Sequence, residues 1–366
     1  MPEIRPLALY NGRTEQMRAG DHAPGVPPGT VVELPAGTPD GDWLPMDGRY
    51  VTIAAYPALA ALPDPAFEFG ELRYTKADAT LYGVAWSGSL LCAVGDLGTI
   101  LTSPDGVTWT ARTSGTTQTL YGVVWSGSLF CAVGSSGTIL TSPDGVTWTA
   151  RTSGTTQFLY GVAWSGSLFC AVGGSGTIRT SPDGVTWTAR TSGTTQALYG
   201  VVRSGSLFCA VGGSGTILTS LDGVIWTART SGTTQILYGV AWSGSLFCAV
   251  GGSGTILTSP DGVTWTARTS GTTQTLFGVA WSGSLFCAVG TGDIILTSPD
   301  GVTWTARLSG ATFSLRYVPL VAANRVWVTS GSGQLLSFPL PVAGQRVLPY
   351  RDVMTAGVTR AYMRVR

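Results

Sequence analysis

An all-β fold assembled from closely similar four-stranded modules is predicted by three observations. First, the stretch SPDGVTWTARTSGTTQ opens at Ser103 and returns with few changes at Ser142, Ser181, Ser220, Ser259 and Ser298, so Trp148 follows Trp109 by 39 residues. The cysteines Cys92, Cys131, Cys170, Cys209, Cys248 and Cys287 keep the same interval. Second, each unit divides into four runs, LYGVVWS, SLFCAVG, GTILTS and VTWTARTS, separated by Ser-Gly-Ser, Gly-x-x-Gly and Pro-Asp-Gly turns. Short runs with a turn at this spacing make an antiparallel meander and leave no room for a helix. Third, 51 glycines and only 11% charged residues suit tight β-turns. A lone meander cannot bury its two faces, so repeated sheets of this size read as blades of a β-propeller, closed into a ring.

Residues 1–66 form a different kind of sequence, a Pro/Gly-rich arm. Pro24, Pro27, Pro28, Pro35 and Pro39 oppose a long helix there. Short strands are expected at 30–34 and 50–53, and a short helix at 56–62. An arm of this composition supplies little core and gains order by lying on another chain or on the propeller.

The propeller is placed at residues 67–338. Six regular repeats cover 80–313, and a worn seventh, 315–338, keeps the order of apolar runs but loses the Cys and the Pro-Asp-Gly turn. Its inner three strands are expected at 315–321, 325–330 and 334–338, and 67–75 reads as the strand that completes it. Seven blades follow, with six as the alternative if Leu315 onward packs below the ring. Residues 339–366 form a C-terminal segment, where FPLPVAGQRVLPY and RAYMRVR resemble the end of a tail-collar-type module, which implies that the segment completes one small module with the arm.

Within the Pro-Asp-Gly turn, Asp105 and its equivalents are expected to accept backbone N–H bonds. Gly106 supplies a positive φ, and Trp109 covers the hairpin. One carboxylate per turn falls far short of the oxygens that calcium takes. The cysteines all share one position in the second strand and read as buried, reduced thiols. With His22 the only histidine, no metal ligand set and no cofactor are expected.

The net charge of +1, with no basic stripe, gives no case for nucleic acid. No apolar run approaches a membrane span, and the N-terminus lacks a secretory pattern, so folding in a cytoplasm is expected. Catalytic resources are poor: no glutamate follows Glu71, and the repeated turn uses most aspartates. Arg112, Arg151, Arg190, Arg229, Arg268 and Arg307 recur singly on an outer strand. The expectation is a protein without catalytic residues, not an enzyme.

Differences between the copies single out two candidate binding surfaces. The residue before LYG and the Gly-x-x-Gly loop vary, and both belong on one rim, marking Asp96, Leu97, Phe158, Arg179, Ile236 and Asp293. The alternative there is neutral drift at exposed loop tips. The second surface is a near-ring of Trp86, Trp125, Trp164, Trp242 and Trp281, broken by Arg203. Its tryptophans suit sugar faces or, at a fixed strand position, fill space between blades.

Two resemblances add to this reading. The SPDGVTW turn resembles the Asp-box of sialidase-like and photosystem II assembly-factor-like propellers, one residue shorter between Asp and Gly. Trp43, Leu44, Pro45, Asp47, Gly48, Tyr56, Pro57 and Leu59, within the first 62 residues, resemble the N-terminal region of bacteriophage tail-fibre and tail-collar proteins. The second resemblance implies a virion tail protein, made in the host cytoplasm, with residues 1–66 on other tail or baseplate proteins. It also implies a homotrimer whose propeller binds a host-surface glycan or outer-membrane protein without chemistry. A structural baseplate spacer and a polysaccharide depolymerase are the alternatives it leaves.

Overall fold

The computed structural model describes residues 79–292 and 294–308 throughout, and outside that span the strands named below. Six regular four-stranded antiparallel sheets follow one another, one per repeat, so the chain is an all-β propeller. Blade 1 comprises Leu81–Trp86, Leu91–Gly95, Ile100–Ser103 and Thr110–Arg112. Blades 2, 3, 4, 5 and 6 begin at Leu120, Leu159, Leu198, Leu237 and Leu276 and repeat this order from inner to outer strand.

Burial changes strand by strand along each blade, and the sequence explains the change. The second strand, Phe-Cys-Ala-Val-Gly in blade 3, is buried on both faces, as a continuous apolar run requires. The outer strand, Thr188–Arg190, is largely exposed, and its residues are polar or small. Alternate residues of the second strand face opposite neighbours. Phe169 and Ala171 of blade 3 pack with Cys131, Val133 and Ile139 of blade 2. Cys170 and Val172 pack with Leu198, Phe208 and Ala210 of blade 4. The core therefore lies between blades, and each fully buried phenylalanine contributes about 1.5–3 kcal/mol. The six cysteines occupy these seams as free, buried thiols, and burial pushes Cys170 and Cys287 up to about 12.

A further four-stranded sheet joins the two ends of the repeat array. Its strands are Leu315–Ala322, Arg325–Ser330, Gln334–Pro339 and, from before the first repeat, Glu71–Thr75. Gln334 pairs with Thr75 and Ser337 with Glu71. Its first strand lies beside the inner strands of blade 6 and blade 1. Trp327 of this closing sheet is 1% exposed and packs with Leu81, Leu91, Ala93 and Leu101 of blade 1.

Residues 1–69 and 339–366 form a separate compact unit. In it Leu7–Tyr10 pairs with Arg13–Gln16, and Thr359–Arg364 lies between Val31–Pro35 and Trp43–Pro45. Gln345–Val347 pairs with Tyr50–Thr52. The helix expected at 56–62 lies outside the described residues.

Candidate functional site

Each inner strand starts with a buried leucine, Leu120 in blade 2, followed by an aromatic residue and a glycine. The ladder to the second strand slips between Leu120 and Gly122, a bulge that frees Tyr121 from the regular alternation. The glycine lets neighbouring inner strands approach. A Cβ on Gly83 would lie 3.1 Å from the Tyr121 carbonyl oxygen and 3.2 Å from Gly122 Cα.

That close approach brings Tyr82, Tyr121, Tyr160, Tyr199, Tyr238 and Phe277 into one run of touching rings. Successive ring centroids are 5.2, 5.3, 5.2, 5.4 and 5.2 Å apart. These spacings and the tilted or edge geometries are those of favourable aromatic pairs. All six side chains are half-buried. Burial and the adjacent Tyr199 and Tyr121 phenols raise the Tyr160 pKa, and burial and Tyr199 raise that of Tyr238. These two hydroxyls stay protonated and neutral at physiological pH.

The arc opens onto the rim formed by the Gly-x-x-Gly loops and the links between blades. Gly174 N–H donates to the Phe158 carbonyl at 2.8 Å, and Ser135 N–H to that of Thr119 at 2.8 Å, so loop and link are joined. Phe158, 42% exposed, sits against Tyr121 at 6.2 Å and Tyr160 at 6.1 Å, extending the arc outward. The Ser135 hydroxyl donates to Tyr121 Oη at 3.3 Å.

The other rim residues singled out in the sequence are placed differently. Asp96 accepts from the Thr80 N–H and the Thr119 hydroxyl, each at 3.1 Å, so its carboxylate ties blade 1 to the next link. Leu97 is exposed, in a left-handed conformation with φ 54°. Arg179 donates to the Gly154 carbonyl at 2.7 Å. Ile236 is half-buried, and its carbonyl accepts from Gly252 N–H at 2.9 Å. Asp293 lies outside the described residues.

The tryptophans stand at the other end of the inner strands. Trp125, Trp164, Trp242 and Trp281 lie 4.5, 4.3, 4.3 and 4.7 Å from Phe130, Phe169, Phe247 and Phe286. Trp86 packs in the cluster of blade 1 and the closing sheet, opposite Leu91. In blade 4 the guanidinium of Arg203 takes this place, 4.5 Å above the Phe208 ring. Trp125, Trp164, Trp242, Trp281 and Arg203 thus each lie against the phenylalanine that opens the second strand of the same blade.

The Pro-Asp-Gly turns occupy that same end. Asp183 Oδ1 accepts the Val185 and Thr186 N–H groups at 2.8 Å each and the Ser181 hydroxyl at 2.9 Å. Trp187 Nε1 donates to the Gly184 carbonyl at 3.1 Å. The Thr186 and Val185 N–H groups hold the Asp183 carboxyl below its ordinary value. On the outer strands, Arg112 Nε donates to Thr102 Oγ1 at 2.8 Å, and Arg151 to Arg268 repeat the bond, so these arginines brace their own blades.

No family model and no curated protein matches the chain. Solved structures do. YCF48 from Cyanidioschyzon merolae is similar at a TM-score of 0.61 and 18% identity, over 74% of this chain and 98% of that one. A structure described as YCF48 bound to D1 peptide is similar at a TM-score of 0.63 and 18% identity, over 77% of this chain and 100% of that one. At this identity the likeness shows the fold, a β-propeller of four-stranded blades.

The tail-fibre reading is corrected by this result. Receptor binding on a phage tail, the tail-spacer and depolymerase alternatives, the tail partners and the homotrimer all followed from a short arm motif, and the matched structures are of YCF48 instead. The motif consists largely of Trp, Pro, Asp and Gly, residues that shape turns in many unrelated loops, and it carried little information about the molecule's work.

Sequence reasoning missed the aromatic arc. Its signal was present: an aromatic residue before a glycine in every inner strand. A repeated strand glycine marks close backbone approach, here at the centre of the ring, where equivalent side chains from successive blades meet.

Proposed function

We propose that the chain is a non-catalytic binding module that holds a segment of another polypeptide on the rim bearing the aromatic arc. The run of six touching rings from Tyr82 to Phe277, extended by Phe158, supports this reading. It presents a wide, half-buried apolar surface edged by phenol hydroxyls, the composition that anchors polypeptides at interfaces. The similarity to a propeller described as bound to a peptide favours the same ligand class here. In such a site the rings supply apolar contact to ligand side chains, and phenols with loop carbonyls supply hydrogen bonds to its backbone.

A peptide array read with the purified chain tests this. Wild type should retain a defined subset of peptides above background, and Tyr160→Ala and Phe158→Ala should each lose most of that subset. Wild type holding no peptide, or both variants holding the same set as wild type, would remove the proposal.

A further inference from the structure

Among the six regular repeats, the rim that carries the Pro-Asp-Gly turns departs from the common sequence mainly in blade 4. In blade 4 three positions change together: Arg203 stands where five blades have Trp, Leu221 where five have Pro, and Ile225 where five have Thr. Arg203 bonds to the turn that carries the other two. One Arg203 terminal nitrogen donates to the Leu221 carbonyl at 3.1 Å, and Asp222 Oδ1 accepts the N–H groups of Val224 and Ile225. Leu221 and Ile225 are 72% and 73% exposed, with Val224 between them also exposed.

The adjoining turn is rebuilt as well. Gly88, Gly127, Gly166, Gly244 and Gly283 take φ values between 94° and 100°, and Gly205 does not adopt that left-handed conformation. Ser204 is buried and donates to the Leu207 carbonyl at 3.1 Å. None of this improves the core. Arg203 Nε is buried without a partner among the described residues, where a Trp would bury ring surface on Phe208. A local rule broken at a cost in packing, with two large apolar side chains raised into water, is the pattern of an interaction surface.

Charge on this rim selects the occupant. The turns carry Asp105, Asp144, Asp183, Asp222, Asp261 and Asp300, each exposed and each held in the ionised form by N–H bonds from its own turn. The guanidinium of Arg203 lies over the Phe208 ring with its terminal nitrogens on the Leu221 and Gly205 carbonyls. An apolar corner within a ring of carboxylates complements a segment that is apolar on one side and basic on the other.

We infer that the blade 4 corner formed by Arg203, Leu221, Asp222, Val224 and Ile225 is a second docking surface, and that it takes a basic amphipathic polypeptide segment. It goes beyond the peptide site of the aromatic rim and stands independently of it. The test uses the full chain, with a synthetic amphipathic peptide of leucine and lysine as probe and its leucine and glutamate counterpart as control, measured by fluorescence anisotropy.

Wild type should bind the basic probe at least about tenfold more tightly than the acidic one, with affinity falling as salt rises. The triple variant R203W/L221P/I225T, which restores residues already folded in five blades, should bind the basic probe at least about tenfold more weakly. Tyr160→Ala should bind it as wild type does. Equal binding by wild type and the triple variant, or equal binding of the two probes, would overturn the inference. Loss of probe binding in Tyr160→Ala would overturn it too, by assigning the probe to the aromatic rim.

Discussion

Gly106→Ala probes how the closing sheet is locked to blade 1. In blades 2 to 6 the turn glycine packs on the preceding blade through a leucine: a Cβ on Gly145 would meet Leu90 Cδ2 at 2.8 Å, the end of a flexible side chain. At Gly106 the facing group is the Trp327 indole, into which a Cβ would project directly. Both glycines have positive φ, 72° and 71°, so alanine at either pays about 1–2 kcal/mol for the left-handed backbone. The indole is packed among Leu81, Leu91, Ala93 and Leu101 of blade 1, the same blade as Gly106, and stands 6.2 Å from Trp109, so Gly106→Ala adds overpacking of about 1–3 kcal/mol. The expected losses are about 2–5 kcal/mol for Gly106→Ala and about 1–2 kcal/mol for Gly145→Ala. Urea unfolding at constant m reads the difference, and Trp327→Leu in a double-mutant cycle should abolish the excess. Equal losses at Gly106 and Gly145, or no coupling to Trp327, would refute the seam as described.

Two further outcomes follow from the repeats. The turn aspartates have folded pKa values below the unfolded value of about 3.9, so the stability they contribute is complete above that pH and is lost as pH falls through the depressed folded values. Urea midpoints measured down the acid range should therefore drop, and Asp144→Asn with Asp183→Asn should flatten that drop; an unchanged slope would contradict the turn bonding. The buried thiols, with raised pKa values, should resist a thiol-specific chromogenic reagent in the native chain and react when it is unfolded in urea. Rapid native labelling would show that the seams between blades open.

The repeat made the fold legible because a 39-residue unit with four apolar runs has few ways to bury both faces, and the Ser181, Asp183 and Trp187 bonds follow from turn chemistry that is local in sequence. Phe158 could be found as a difference between copies, yet its neighbours Tyr121 and Tyr160 could not, since nearly constant residues look like packing until the ring places them side by side. The tryptophans read from sequence as a near-ring, for sugar faces or for packing between blades, and in the structure Trp164 and Trp242 lie against phenylalanines of their own blades. Asp96 read as a free polar contact, but its partners Thr80 and Thr119 lie 16 and 23 residues away, a distance that only the closed blade spans.

The most direct test of the central claim is a tyrosine nitration footprint, read by mass spectrometry, with and without a peptide selected on the array. Binding on the aromatic arc predicts that Tyr121, Tyr160 and Tyr199 lose reactivity together when the peptide is present. Unchanged nitration of these three tyrosines under saturating peptide would contradict it.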